Sequence, residues 1–315
     1  LNMNLNKVYF INALTGFALS DTSRMLITTN GGANWVFKFI GGNSLLRGML
    51  FLNQTTGFMC GVSFSEYKGV IYKTTNTGLN WELKQIPSYS HERFTTIQQM
   101  STNLLFLGGG YGTLFHSLDT GNTWVRRYYY DLLDFNFIDS INGIASNSYG
   151  YIRKTTNGGL NYTNTYTMPN LRCNSVKMVD DSTAYCFGYN GVILKTTNFG
   201  GNWVIQNSGT TLELFSSFFF DSVNIITVGD GGIILKTTNG GVNWNNVSPG
   251  SRINYTSSCF INENTGYVSG DWTVKKTTNG GVNWVEKWDS AGNNANLIYF
   301  INENTGWTVR FSMIV

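Results

Sequence analysis

Two carboxylates are the first candidates for chemistry. Asp230 follows Val228-Gly229 and Asp271 follows Ser269-Gly270, at matching places in two neighbouring segments. Paired carboxylates flanking a scissile bond are the equipment of a glycoside hydrolase. The same residue type also closes tight turns by accepting backbone N–H groups, and that is the more common role. His91 and His116 stand apart from each other, with no acid or nucleophile alongside. They form no catalytic triad. Cys60, Cys173, Cys186 and Cys259 show neither a CxxC nor a neighbouring histidine, so no metal site is expected. They read as small buried apolar residues, a disulfide among them being open. The glycines recur with turns and form no phosphate-binding strand–loop–helix, and no cofactor is expected.

A second set of residues suits binding rather than catalysis. Arg47, Arg93, Arg172 and Arg252 each fall just before the start of an expected strand A. Glu66, Tyr67, Tyr111, Tyr149, Tyr189, Asp230 and Asp271 fall in short turns that would share a face with those starts. Arg and Tyr are enriched at interaction hot spots, although an arginine at a strand end can also serve only solubility.

The elements that would position these residues come from a repeat. Thr28-Thr29-Asn30-Gly31-Gly32-Ala33-Asn34-Trp35 returns as Thr74, Asn76, Gly78, Trp81; as Ser117, Asp119, Gly121, Trp124; and as Thr155, Asn157, Gly159, Tyr162. Three more copies carry Thr196, Asn198, Gly200, Trp203; Thr237, Asn239, Gly241, Trp244; and Thr277, Asn279, Gly281, Trp284. Six of the nine tryptophans thus close a copy, which chance does not arrange. A second motif precedes each box, clearest in Phe260-Ile261-Asn262-Glu263-Asn264-Thr265-Gly266-Tyr267 and Phe300 to Trp307. Between the motifs run short segments rich in Phe, Ile, Val and Leu, the pattern of strands covered on both faces. The segments after each box are more polar, as in Trp124-Val125-Arg126-Arg127, and suit exposed edges.

Each unit therefore reads as four antiparallel strands, A to D, with the box as the C–D hairpin. A sheet that cannot bury both faces alone must stack on its neighbours, which predicts an all-β propeller spanning 1–315. Seven units are complete over about 7–290, and a partial eighth covers 297–315. The expectation is eight blades with the last incomplete, residues 1–5 helping to close the circle. The alternative is seven blades plus extra terminal strands. In the box, the Asn or Asp and the Ser/Thr hydroxyl would hold the turn, and the aromatic would enter the seam between blades.

Ser117-Leu118-Asp119-Thr120-Gly121-Asn122-Thr123-Trp124 fits the pattern S/T-x-D-x-G-x-x-W in full. The repeats resemble the Asp-box, or bacterial neuraminidase, type, and the two motifs together resemble the photosystem II assembly and stability factor family. That resemblance covers nearly the whole chain. It implies a propeller that holds a protein segment on one face. Asp-box propellers also include sialidases and xyloglucan-degrading glycosidases, but no arginine here stands in a recognisable sialidase context.

Composition narrows the partners. Only 12% of residues are charged and the net charge is +3, with no basic run to suit nucleic acid. No apolar run reaches the ~18 residues of a membrane span. No signal-peptide pattern follows Leu1, and a mature form or an excerpt of a longer protein is expected. The leading expectation is a non-catalytic binding or assembly scaffold, exported or at a bacterial surface, that presents one face to a protein segment or glycan. The alternatives are a glycosidase and a structural module of a larger surface protein or filament.

Overall fold

A computed structural model describes residues 5–20, 23–86, 91–100, 102–110, 113–128, 132–147, 149–168, 172–250, 253–271, 273–289, 295–302, 305–310 and 313–314. Among them are seven four-stranded antiparallel sheets in simple A-B-C-D order, at residues 5–39, 44–84, 93–128, 132–167, 173–206, 214–246 and 257–289. A three-stranded sheet follows, made by Ala295–Asn302, Thr305–Arg310 and Met313–Ile314. The architecture is an all-β propeller with seven four-stranded blades. The expectation of eight blades is corrected to its alternative, seven blades plus terminal strands. The reason lies in the box, whose hairpin delivers strand D in every full blade; residues 305–315 contain none. Leu5 opens strand A of the first blade by pairing with Ser20, and residues 1–4 lie outside the described set. The chain forms two compact units, 1–132 with 311–314 and 133–310.

Strand B is one of the two inner strands of each blade, and its burial is complete in Gly16–Ser20, Ala184–Gly188, Ile225–Gly229 and Gly266–Gly270. Being covered on both faces, it reads as an apolar run without alternation. The A–B turns are closed by an Asn or Asp whose Oδ1 accepts two backbone N–H groups. Asn12, Asn53, Asp139, Asp180, Asp221 and Asn262 all do this. Among the acidic residues of these turns, Asp139, Asp180 and Asp221 take the capping role. Asp181 and Glu263 sit exposed beside the caps, and Glu303 lies outside the described residues.

The C–D boxes share one hydrogen-bond pattern. In all seven the Ser/Thr hydroxyl donates to the Asn or Asp Oδ1 at 2.8–3.0 Å and accepts the glycine N–H at 2.8–3.0 Å. The same Oδ1 accepts the N–H four residues on, Asn34 N–H donating to Asn30 and Thr123 N–H to Asp119 among them. The closing tryptophan then enters the seam with the preceding blade. Trp81 joins Phe17, Leu19 and Met25; Trp124 joins Phe58 and Ile71; Trp203 joins Ile144 and Ile152; Trp244 joins Phe187 and Ile193; Trp284 joins Ile226 and Val228. Trp35 stands edge-on to Phe10 of its own blade. The Tyr162 ring is half-buried.

Lysines immediately before the box threonine form a second inter-blade tie. Lys73 Nζ donates to Thr120 O and Asn122 Oδ1 of the next box, Lys195 to Gly240 O, and Lys236 to Gly280 O. Lys154 lies 5.3 Å from the Phe199 ring of the following box.

Two features go beyond what the spacing indicates. The outer strand of the first blade, Val36–Phe39, is apolar rather than polar, with Val36 and Phe39 68% and 67% exposed. Among the cysteines, whose pairing the spacing leaves open, Cys173 and Cys186 form a disulfide. Cys60 is buried, and burial pushes its thiol up to about 12; burial also raises Cys259.

Candidate functional site

The B–C turns and D–A connections carry the candidate binding residues. Their geometry starts at the glycine ending strand B. A Cβ on Gly188 or Gly229 would overlap the carbonyl oxygen of Arg172 or Glu213, the residue just before strand A of the same blade. Only glycine permits this approach. Gly61, Gly109 and Gly270 stand in the same relation to Leu45, Arg93 and Asn254. The next residue then donates its N–H across the gap, Tyr189 N to Arg172 O at 3.0 Å and Asp230 N to Glu213 O at 2.8 Å. A bulge in strand A follows, after Cys173 in the fifth blade and after Leu214 in the sixth. Each residue at this step is thus pinned by its backbone.

In the fifth and sixth blades these side chains meet. Arg172 Nη2 reaches Glu213 Oε1 at 3.3 Å, and the guanidinium carbon lies 5.9 Å from the Tyr189 ring centre. Asn174 Nδ2 donates to the same Oε1 at 2.9 Å and to Leu214 O at 2.9 Å. The Arg172 side chain is 48% exposed and that of Glu213 only 17%, so the half-buried carboxylate is the anchor and the guanidinium presents its outer edge to solvent. Tyr189 is 42% exposed. Beside them an open cleft of about 730 Å³ is lined by Asn190, Gly191, Val192 and residues 205–211, an uncharged set of amides, hydroxyls and the exposed Ile205.

The hydrogen bonding continues into the seventh blade. Gly231 N donates to Asn254 Oδ1 at 2.8 Å, and Asn254 N donates to Asp271 Oδ2 at 2.8 Å. Asp271 therefore acts as a turn-closing acceptor. Asp230 opens a one-turn 3₁₀ segment over Asp230–Gly232. Asn254 links the two turns, and their geometry is that of turn formers.

The remaining candidates are dispersed. Arg47 is exposed within strand A of the second blade, Ser44–Phe51, at the place Asn174 holds in the fifth, and not just before the strand as expected. Arg93 begins strand A of the third blade and is exposed. Glu66 pairs with Lys68 at 3.3 Å, and Tyr67 is 59% exposed. Tyr149 is 66% exposed, its N–H donating to Asn147 Oδ1. Arg252 and Tyr111 lie outside the described residues. Of the histidines, His91 is exposed; His116 is buried against Phe106 and Arg127, and burial, with the nearby guanidinium, lowers its pKa. Among the described residues no cluster of His, Cys, Asp and Glu could hold a metal ion.

Sequence reasoning missed Glu213, Asn174 and Asn254. The signal for Glu213 was present: it occupies the repeat position of Arg172 one blade later, with the opposite charge.

No family model and no curated protein matches the sequence. Solved structures do. One described as YCF48 bound to D1 peptide aligns over 88% of this chain and 90% of its own, at 14% identity and a TM-score of 0.66. The GH74 xyloglucanase of Xanthomonas campestris aligns over 98% of this chain and 58% of its own, at 11% identity and 0.65. The computationally designed Ika8 protein aligns over 100% and 96%, at 12% identity and 0.79. These are likenesses of fold.

Proposed function

We propose that this protein is a non-catalytic binding or assembly scaffold whose B–C and D–A face, in the fifth and sixth blades, takes an extended protein segment. The observation that carries the reading is Arg172, held between the Tyr189 ring and the half-buried Glu213 carboxylate while nearly half its side chain stays in solvent. A guanidinium fixed in this way loses little further freedom on binding and offers directed N–H donors to a carboxylate or a main-chain carbonyl. The cleft beside it supplies neutral amides and hydroxyls suited to a peptide backbone. The likeness of fold to a propeller described as bound to a peptide supports the same reading. No observation favours the glycan alternative. An oxidising, exported setting is part of the proposal, supported by the disulfide.

An array of immobilised 12-residue peptides varied in charge and apolar content, probed with the whole protein, tests this reading. Peptides carrying an acidic residue next to an aliphatic or aromatic one are expected to bind. Arg172→Gln and Tyr189→Ala should each weaken binding at least ~10-fold, as for hot-spot residues. Binding unchanged in both variants would place the site elsewhere.

A further inference from the structure

The fifth blade differs from its neighbours at the step where strand A meets the end of strand B. Other blades fill that step by packing alone, with Leu46 and Met59 in the second, Phe94 and Leu107 in the third, and Leu214 and Thr227 in the sixth. The fifth has Cys173 and Cys186 instead, joined covalently across a Cα–Cα distance of 5.9 Å. Both are buried, while Cys60 and Cys259 keep free thiols in other blades. The bond sits at the root of the candidate face. Cys173 lies between Arg172 and Asn174, the two residues whose side chains share Glu213 Oε1, and it immediately precedes the bulge.

We propose that the Cys173–Cys186 disulfide is a redox latch on the ligand face: oxidised, it fixes the bulge and holds Arg172 and Asn174 on Glu213; reduced, it releases them. The proposal rests on the reading of this face as the binding site. Its physical basis is connectivity. Two cysteine side chains are smaller than the Leu–Met or Phe–Leu pairs elsewhere and make fewer packing contacts, so the covalent bond does the holding, and once it is cut the close approach of Arg172 O to Gly188 loses its clamp. The reaction is thiol–disulfide exchange with a dithiol reductant. One thiolate attacks a cysteine sulfur and the second resolves the mixed disulfide. Two electrons pass to the protein, each cysteine sulfur gains a proton, and the reductant leaves as its own disulfide. Because both sulfurs are buried, exchange requires local opening of the blade, which makes the latch slow to release.

The test uses the whole protein and needs no ligand for its first part. Alkylation of the unreduced, denatured chain followed by mass spectrometry should label Cys60 and Cys259 only. Site-resolved amide hydrogen exchange is then compared before and after treatment with dithiothreitol. The Tyr189 N–H, bonded to Arg172 O, should exchange at least ~10-fold faster after reduction, while the equivalent Asp230 N–H, bonded to Glu213 O, stays unchanged. The double variant Cys173→Leu/Cys186→Met, which restores the packing pair of the second blade, should exchange slowly with and without reductant. Reduction should also weaken a peptide identified on the array ~10-fold in the wild type but not in Arg172→Gln. Four labelled cysteines in the unreduced chain, or equal Tyr189 exchange in both states, would overturn the latch. Latched exchange behaviour with no peptide bound would instead overturn the binding reading alone.

Discussion

Asp134→Asn should stabilise the protein at neutral pH. Asp134 lies in strand A of the fourth blade (Leu132–Phe137), and its Oδ2 accepts the Val176 N–H of the fifth blade at 2.9 Å. Burial pushes its carboxyl up to about 6, against the opposing pull of hydrogen bonds from Val176, Phe135 and Ser175. Two residues on, Asn136 does the same work with a neutral amide, accepting Met178 N–H at 2.9 Å. A folded-state pKa above the unfolded value means that the folded chain binds the proton more tightly. The associated stability is complete below the unfolded value near 3.8 and is lost as pH rises through about 6. The difference corresponds to at most about 3 kcal/mol at pH 7.5. One side of Asp134 still meets solvent, so about 1–2 kcal/mol is the working expectation. The asparagine keeps an acceptor for Val176 and does not ionise. Denaturant unfolding of both proteins from pH 4 to pH 8 should give nearly equal midpoints at the acid end, an advantage for the variant that grows up to about pH 6, and a level difference above it. A variant less stable at pH 7.5, or a difference that ignores pH, would refute the reasoning.

Other perturbations follow from the same geometry. Asp119→Asn should be nearly silent at pH 7, since six boxes already carry Asn in the same hydrogen-bond pattern. Hydrogen bonds from Thr123, Ser117 and Asn122 hold the Asp119 carboxyl down to about 2. Its stabilising share is therefore present above the usual carboxylate value and lost as pH falls through about 2, and acid unfolding of the variant should lack that component. Trp124→Ala empties a seam position between the second and third blades and should cost about 3–5 kcal/mol by thermal or denaturant unfolding. Gly229→Ala drives a methyl onto Glu213 O and should cost about 1–3 kcal/mol; retained stability would contradict the close approach.

The all-β architecture was legible because its determinants are local. The hydroxyl, Asn/Asp and glycine of each box satisfy one another within a few residues, so their spacing alone defines the hairpin, and Trp124 or Trp244 marks the seam it enters. What lay beyond reach depended on pairing between distant segments. The disulfide requires knowing that the bulge in strand A brings Cys173 alongside Cys186. Arg47 was misplaced because only the register shows that it sits at the position of Asn174. The lysine ties were written in the sequence, since Lys73, Lys154, Lys195, Lys236 and Lys276 each precede a box threonine. Their target, a backbone carbonyl of the next box, has no side-chain signature. The apolar outer strand Val36–Phe39 departs from edge-strand logic, and nothing in the structure explains it.

Hydrogen exchange of the whole protein with and without a saturating array-selected peptide would locate the site. Protection confined to residues 172–174, 189–191 and 205–213 is the predicted footprint. Protection absent from these segments and concentrated on the box hairpins around Asn198 and Asn239 would contradict the assignment of the ligand to this face.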